Sequence, residues 1–105
     1  MKIDRLKLYE YIFNNHQTIT APQHFLRYVK ILMDKSDNDL NREHIHTRTW
    51  MANTLQVNER TLGGYEQSWE ALGWLEQTNP KAGNPATRKL GKRFDILRQS
   101  GKIER

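Results

Sequence analysis

The stretch that most constrains the fold runs from Thr47 to Leu75, TRTWMANTLQVNERTLGGYEQSWEALGWL, because it carries two separate sets of apolar side chains. Within each set the steps are mostly three or four residues, which is the spacing of one helix face. The sets are Met51, Ala52, Leu55 and Val57, followed by Leu62, Tyr65, Trp69 and Leu72. The pattern predicts two short helices, each with one side against a core.

The residues at the ends of these sets predict where the two helices begin and end. Thr47 and Asn58 can act as N-caps, since a side-chain oxygen accepts a hydrogen bond from a free N–H in the first turn. Gly73 fits the left-handed residue that ends a helix. The stretch is therefore expected to form a helix, a tight turn, a second helix, and a strand from about Trp74.

Two further helices are predicted upstream. The first covers residues 3–14, with Asp4 as a cap and Leu6, Tyr9 and Phe13 on one apolar stripe. This stripe is widened by Ile3, Leu8 and Ile12. The helix is therefore expected to pack on two sides or to meet a partner chain. The second starts with a capping box of Thr20 and Gln23, has Pro22 in its first turn, and ends near Lys35. His44-Ile45-His46 can form a very short strand before Thr47.

Downstream, the pattern predicts a β-hairpin over residues 74–90. Its tip, residues 78–85, is dense in Pro, Gly and Asn, the residues that favour turns. Residues 91–105 form either a tail or a final helix with Leu90, Phe94 and Leu97 inward, and a helix is slightly favoured. The fold class is mainly α with a small β-hairpin, in one domain over residues 1–105.

The composition excludes several classes of protein. With no cysteine, disulfides, thiolate zinc sites and thiol nucleophiles are all absent. No apolar run approaches the length of a membrane span, and the N-terminal residues lack the apolar core of a signal peptide. A cytoplasmic protein without membrane contact is expected.

The positive charge is concentrated at the C-terminal end. The formal net charge is +5, and residues 77–105 carry eight basic residues against Asp95 and Glu104. Residues 58–76, in contrast, have only Arg60 against four glutamates. A basic segment of this kind attracts polyanions, although a solvated tail that aids solubility explains the count equally well.

The chain resembles winged helix-turn-helix domains, particularly those of plasmid and phage replication or transfer proteins and of bacterial regulators. The matching residues are Thr47, Met51-Ala52, Leu55-Gln56-Val57-Asn58, Arg60-Thr61-Leu62, Trp69 and Leu72-Gly73-Trp74-Leu75. In this scheme the helix-turn-helix is 47–72 and the hairpin of residues 74–90 is the wing. The resemblance covers roughly residues 24–90 and implies a sequence-specific contact with double-stranded DNA.

The second helix departs from that family's pattern. Gly63-Gly64 stands where polar or basic side chains are common, and Glu59, Glu66 and Glu70 would face phosphates with like charge. The glycines either admit a close approach by another helix or a phosphate, or loosen the helix. We therefore expect the wing to carry much of the DNA contact, through Asn79, Lys81, Asn84, Thr87, Arg88, Lys89, Lys92 and Arg93. The helix-turn-helix contributes Arg48, Asn58, Arg60, Thr61 and Gln67.

No motif indicates an enzyme, a metal centre or a cofactor. His44 and His46 share one face of a strand, but no third ligand accompanies them, and polar surface histidines are expected. The serines lack the setting of a nucleophile, and Gly63-Gly64 and Gly91-Lys92 lack phosphate-loop spacing. Trp50, Trp69 and Trp74 are all expected in the core, with Trp50 the weakest case because its place beside Met51 allows partial exposure.

Several biological roles remain open. The DNA-binding protein could act in transcription regulation, in replication, or in plasmid transfer by conjugation, and a dimer formed through the N-terminal helix would suit a palindromic site. The alternative is a protein-protein interaction module that presents an acidic second helix to a basic partner. Single-stranded DNA or RNA binding is a third possibility, but no aromatic cluster accompanies the basic segment.

Overall fold

The computed structural model describes residues 2–78 and 87–103, with side chains described as far as Gln99. Within these residues the chain is mainly helical with one small sheet. The helices are α1 (Arg5–Asn14), α2 (Pro22–Ser36), α3 (Arg48–Leu55), α4 (Glu59–Ala71) and α5 (Asp95–Ile103), and short 3-10 turns cover His16–Thr18 and Lys92–Phe94. The strands are β1 (His44–Ile45), β2 (Leu75–Gln77) and β3 (Thr87–Leu90).

The three strands form an antiparallel sheet in the order β1-β3-β2. Leu75 pairs with Leu90 across β2 and β3, and His44 pairs with Arg88 across β1 and β3. The strand that precedes α3 therefore lies beside the second strand of the hairpin that follows α4. The predicted hairpin pairing is confirmed for residues 75–77 and 87–90. Of the predicted tip, residues 78–85, all but Thr78 lies outside the described residues.

Three of the predicted N-caps are confirmed. Asp4 accepts from the Leu6 N–H at 3.0 Å, Thr47 Oγ1 from the Trp50 N–H at 3.0 Å, and Asn58 Oδ1 from the Thr61 N–H at 2.7 Å. Each satisfies a donor that the first turn of a helix leaves free. The α3–α4 turn is therefore fixed by local side-chain chemistry that the sequence already contains.

The predicted capping box at Thr20 is wrong. Ala21 occupies the N-cap position of α2 in a left-handed conformation, with no side-chain cap, while Pro22 begins the helix. The Thr20 hydroxyl instead bonds to the Ser68 hydroxyl on α4, and the Thr20 carbonyl accepts from Trp69 Nε1 at 2.6 Å. Contacts with α4 have overridden the local capping preference.

The core is built around aromatic rings from four elements. Phe25 of α2 lies 5.0 Å from the ring centroid of Trp69 and 6.1 Å from that of Trp74, and Trp74 lies 5.4 Å from Phe94. All four side chains are completely buried. The expectation that Trp69 and Trp74 pack in the core is confirmed, whereas Trp50, the weakest of the three cases, is 43% exposed.

Two glycines allow the hairpin to pack closely against the end of α4. Gly73 has a φ of +88°, as predicted for the residue that ends the second helix. At Gly91 an added Cβ would lie 2.3 Å from the Gly73 carbonyl oxygen, so no larger residue fits without a backbone shift. The hairpin can therefore lie directly against the end of α4.

The C-terminal segment is helical, as slightly favoured from the sequence. Arg98 attaches α5 to the sheet, because its Nη2 donates to the Leu90 carbonyl at 2.7 Å and to the Leu40 carbonyl at 3.2 Å. Its Nη1 donates to the Gly91 carbonyl at 3.1 Å. These charge-assisted bonds satisfy carbonyls at the end of β3.

The apolar stripes of α1 divide between core and solvent. Leu8 and Ile12 are buried, whereas Leu6 is 64% exposed and Phe13 is 70% exposed. The stripe of Leu6, Tyr9 and Phe13 is therefore not the core-facing one, since only Tyr9 of the three is half-buried. The described helices include none that is both long and apolar enough to cross a membrane.

Candidate functional site

The exposed face of α4 is the first component of the candidate site. Arg60, Gly64 and Gln67 are exposed at steps of four and three residues, which places them on one line of the helix. On the opposite side, Leu62, Glu66 and Trp69 are buried. The α3–α4 unit therefore presents a line with one cation, one amide and a gap between them.

A buried glutamate lies beneath this surface. Glu66 is completely inaccessible to solvent, and the Tyr28 hydroxyl donates to its Oε2 at 2.7 Å. Arg88 Nε lies 2.7 Å from the same oxygen, and Arg48 Nε donates to Oε1 at 3.1 Å. A buried carboxylate is stable only with such partners, because desolvation strongly penalises an unpaired charge.

Burial also affects the tyrosine in this cluster. The pKa of Tyr28 is raised well above its usual range, first by desolvation and then by the negative charge of Glu66. Tyr28 therefore remains a neutral hydroxyl donor to the carboxylate. The residues Glu66, Arg88, Arg48 and Tyr28 are called the Glu66 cluster below.

Arg88, expected on the DNA-contacting wing, is buried, so its predicted place on an exposed wing surface is wrong. Its side chain is 4% exposed, and Nη1 donates to the His46 carbonyl at 2.8 Å. The alternation of a β-strand gives the reason, since Arg88 and the buried Leu90 are two residues apart and face the same side of β3. That spacing was visible in the sequence.

Glu66 was likewise assigned to an exposed acidic face, and this assignment is wrong. It lies four residues after Leu62 and three before Trp69, both buried, so it belongs to the core-facing stripe of α4. Sequence reasoning missed this role, although the helical spacing was the available signal. The face of α4 therefore carries less negative charge than the sequence count implied.

Arg48 lies at the edge of the same surface. Its side chain is 44% exposed, and its guanidinium passes alongside Gly63, where an added Cβ would be 3.5 Å from Nη1. At Gly64 an added Cβ would meet no atom within 4 Å among the described residues. The group that approaches Gly63 is thus an arginine side chain, and Gly64 faces open space.

The other predicted DNA contacts of the helix-turn-helix differ in their exposure and hydrogen bonding. Asn58 is exposed, but its side-chain oxygen is engaged in capping α4. Thr61 is half-buried, whereas Arg60 and Gln67 are exposed. Among the predicted contacts of α4, Arg60 and Gln67 are therefore the exposed side chains that are not engaged in capping.

Only some of the predicted wing contacts lie within the described residues, and Thr87 and Lys89 among them are half-buried. Asn79, Lys81 and Asn84 lie outside the described residues. Thr87 is half-buried and its hydroxyl bonds to the Thr78 hydroxyl, and Lys89 is half-buried on the outward face of β3, paired across the strands with Glu76. Such a pairing partly offsets the positive charge of Lys89.

Lys92 and Arg93 are exposed beyond the hairpin, but Arg93 is tied to the fold. Its Nε donates to the Leu72 carbonyl at 3.0 Å, and its guanidinium lies 5.3 Å from the centre of the Trp74 ring. Lys92 is therefore the more available of the two cations for a ligand.

His44 of β1 and His46, which follows β1, were expected at the surface, and this expectation is wrong. His44 and His46 are both buried, and His46 packs its ring 5.8 Å from Trp50 and 6.2 Å from Tyr28. Burial lowers the pKa of His44 to about 4 and that of His46 to about 3, with the nearby cations Lys35 and Arg88 adding to the respective shifts. Both rings are therefore neutral at physiological pH.

No cluster of three or more His, Cys, Asp or Glu side chains suited to a metal ion is found where the structure describes the chain. No family model, curated protein or solved structure matches this chain. The candidate site is therefore defined by its own geometry, as the exposed face of α4 with Arg48 at its edge and the Glu66 cluster beneath.

Proposed function

We propose that this chain is a winged helix-turn-helix protein that binds double-stranded DNA without catalysing a reaction. The strand order β1-β3-β2, with α3 and α4 between β1 and the hairpin, supports this fold assignment. Two helices joined by a short turn are a common DNA-reading unit, in which the second helix enters the major groove. Here α4 is the proposed reading helix.

The observation that carries the proposal is the composition of the exposed line on α4. Arg60 and Gln67 flank Gly64, Glu66 points into the core, and the exposed Glu70, three residues beyond Gln67, is the acidic side chain that continues the line. Arginine and glutamine are the side chains that form bidentate contacts with guanine and adenine in the major groove. This line therefore suits DNA better than the sequence count of glutamates suggested.

The contact set is proposed to be shared between helix and wing. The loss of Arg88 to the core reduces the positive charge that the wing offers, while Arg48 adds a cation beside α4. Lys89 and Lys92, together with Asn79, Lys81 and Asn84 of the tip, remain the proposed wing contacts. The wing then supplies sequence-independent affinity for phosphates, and α4 supplies base contacts.

A cytoplasmic role in transcription regulation, in replication, or in plasmid or phage DNA transfer fits such a protein, with no cofactor required. The alternative is an interaction module that offers an acidic α4 to a basic partner. The burial of Glu66 weakens this alternative, since Glu59 and Glu70 are the exposed glutamates left on the helix. The exposed Trp50 still offers a place for a partner protein.

A homodimer formed through α1 is also proposed. Leu6 and Phe13 are exposed two helical turns apart, and Phe13 and Leu26 line a groove between α1 and α2. A second copy of the chain would cover these apolar side chains. Two copies paired along α1 would present two reading helices to a palindromic site.

The decisive experiment is selection of bound sequences from a random duplex library, followed by gel-shift at two salt concentrations. A DNA-binding function predicts retention that survives an excess of unrelated competitor duplex and weakens as salt rises. An interaction module predicts no retention at either salt concentration. An Arg60→Ala/Gln67→Ala variant that selects the same sequences with the same affinity would exclude α4 as the reading helix.

A further inference from the structure

Arg48 holds its guanidinium at the surface with one nitrogen engaged. Its Nε donates to Glu66 Oε1 at 3.1 Å, and among the described residues Nη1 and Nη2 have no acceptor. The side chain as a whole is 44% exposed. An arginine anchored through Nε keeps its two terminal NH₂ groups available for another anion.

The charges of the Glu66 cluster do not cancel. Arg88 is buried against Glu66 at 2.7 Å and matches its single negative charge, whereas Arg48 adds a second positive charge to the same carboxylate. The cluster therefore carries an excess positive charge, and Arg48 brings it to the surface beside α4. A partly desolvated cation of this kind favours an anionic ligand.

Gly63 provides the space that this arrangement requires. The position of its missing Cβ lies 3.5 Å from Arg48 Nη1 and 3.6 Å from Cζ, so the guanidinium lies directly alongside the helix. A side chain longer than alanine would displace it. Position 63 therefore needs a small residue, glycine or alanine, where Arg48 passes beside α4.

We propose that Glu66 is a positioning residue that holds Arg48 as a contact for a DNA backbone phosphate. This inference rests on the proposed DNA-binding function and adds a named phosphate contact to it. A guanidinium can donate two parallel hydrogen bonds to a phosphate, and a guanidinium already fixed through Nε loses less conformational entropy on binding. A lysine cannot do the same, since its single ammonium would be drawn to Glu66.

The test measures binding of a fluorescent mixed-sequence DNA duplex by anisotropy, between about 50 and 200 mM salt. Arg48→Ala is expected to weaken binding about tenfold at the lowest salt and to reduce the slope of log K against log salt by about one. Arg48→Lys is expected to recover little of that loss. Arg27→Ala, which removes the same charge from an exposed position on α2, is the matched control and should change both quantities far less.

A double-mutant cycle separates positioning from general stability. Glu66→Gln should weaken binding in the wild-type background and have no further effect in the Arg48→Ala background, since it acts through Arg48. If Glu66→Gln does not fold, as monitored by circular dichroism, the comparison of Arg48→Lys with Arg48→Ala decides alone. Arg48→Lys binding with wild-type affinity, or Glu66→Gln weakening both backgrounds equally, would overturn the inference.

The outcomes also distinguish this inference from the function on which it rests. A wild-type protein that binds no duplex at the lowest salt overturns DNA binding and the role of Arg48 together. A wild-type protein that binds, with Arg48→Ala unchanged in affinity and salt slope, overturns the role of Arg48 alone.

Discussion

Arg88 and Glu66 form a buried ion pair between β3 and α4, with Arg88 Nε 2.7 Å from Glu66 Oε2. The arginine comes from the basic C-terminal segment and the glutamate from the acidic second helix, so one charge from each of the two segments that differ most in charge is paired inside the fold. The pair is thus a structural link between the hairpin and α4.

Removing Arg88 is expected to destabilise the fold. Arg88→Ala leaves Glu66 buried with Arg48 as its remaining cation and leaves the His46 carbonyl without its donor, at a cost of about 3 kcal/mol in the free energy of unfolding. Urea denaturation followed by tryptophan fluorescence measures the change. The neighbouring Lys89→Ala, on the outward face of β3, should cost less than about 0.5 kcal/mol. Equal effects of the two substitutions would show that the ion pair is unimportant for stability.

Two glycine substitutions should have opposite effects. Gly64→Ala is expected to raise the free energy of unfolding by up to about 1 kcal/mol, since Gly64 lies inside α4 and an added Cβ meets open space. Gly91→Ala should lower it by more than about 2 kcal/mol, because the added Cβ would collide with the Gly73 carbonyl oxygen. Thermal unfolding of both variants tests the pair, and a destabilising Gly64→Ala would contradict the described surface of α4.

Stability is expected to fall in mild acid because of the two buried histidines. The folded-state pKa is about 4 for His44 and about 3 for His46, both below the ordinary value of 6.5. The unfolded chain takes up protons below about pH 6.5 while the folded chain does not, so this stability is complete above that pH and declines as the pH falls toward about 4 and about 3 respectively. The slope is at most about 1.4 kcal/mol per pH unit for each histidine.

Urea denaturation between about pH 7.5 and 5 measures this slope. Three aspartates do not titrate in this pH range, because hydrogen bonds lower their pKa values. The donors are Lys30 for Asp34, Lys2 for Asp37 and the backbone N–H of Asn41 for Asp39. His46→Phe removes one titrating group but keeps a ring against Tyr28 and Trp50, so it should reduce the slope by roughly half. An unchanged slope in that variant would mean that His46 is protonated in the folded state.

The exposed apolar side chains of α1 lead to a separate prediction about dimer formation. Phe13 is 70% exposed, so Phe13→Ser should change the stability of an isolated protomer by less than about 0.5 kcal/mol. If two copies pair through α1, the same substitution shifts the protein from dimer to monomer in sedimentation velocity. Leu26→Ser, at the edge of the same groove, should weaken the dimer less. A wild-type protein that is monomeric at high concentration would exclude the proposed pairing.

Local chemistry in the sequence was sufficient for most of the element boundaries. Asp4, Thr47 and Asn58 cap their helices as predicted, and Gly73 ends α4, because a side-chain oxygen or a missing Cβ acts on atoms only a few residues away. The helical spacing of Trp69 also predicted its place in the core. The caps and the helix end depend on atoms close to each residue along the chain.

Tertiary structure decided what charged and polar side chains do. Thr20 does not cap α2 but contacts Ser68 and Trp69 of α4. Arg88 and Glu66, both predicted at the surface, form a buried ion pair. The spacing places both residues on core-facing stripes, but a lone charge in such a position is costly, so the charge of each residue argued against its burial. Only when β3 lies against α4 do the two charges become partners, and that meeting of residues 22 positions apart is a property of the fold.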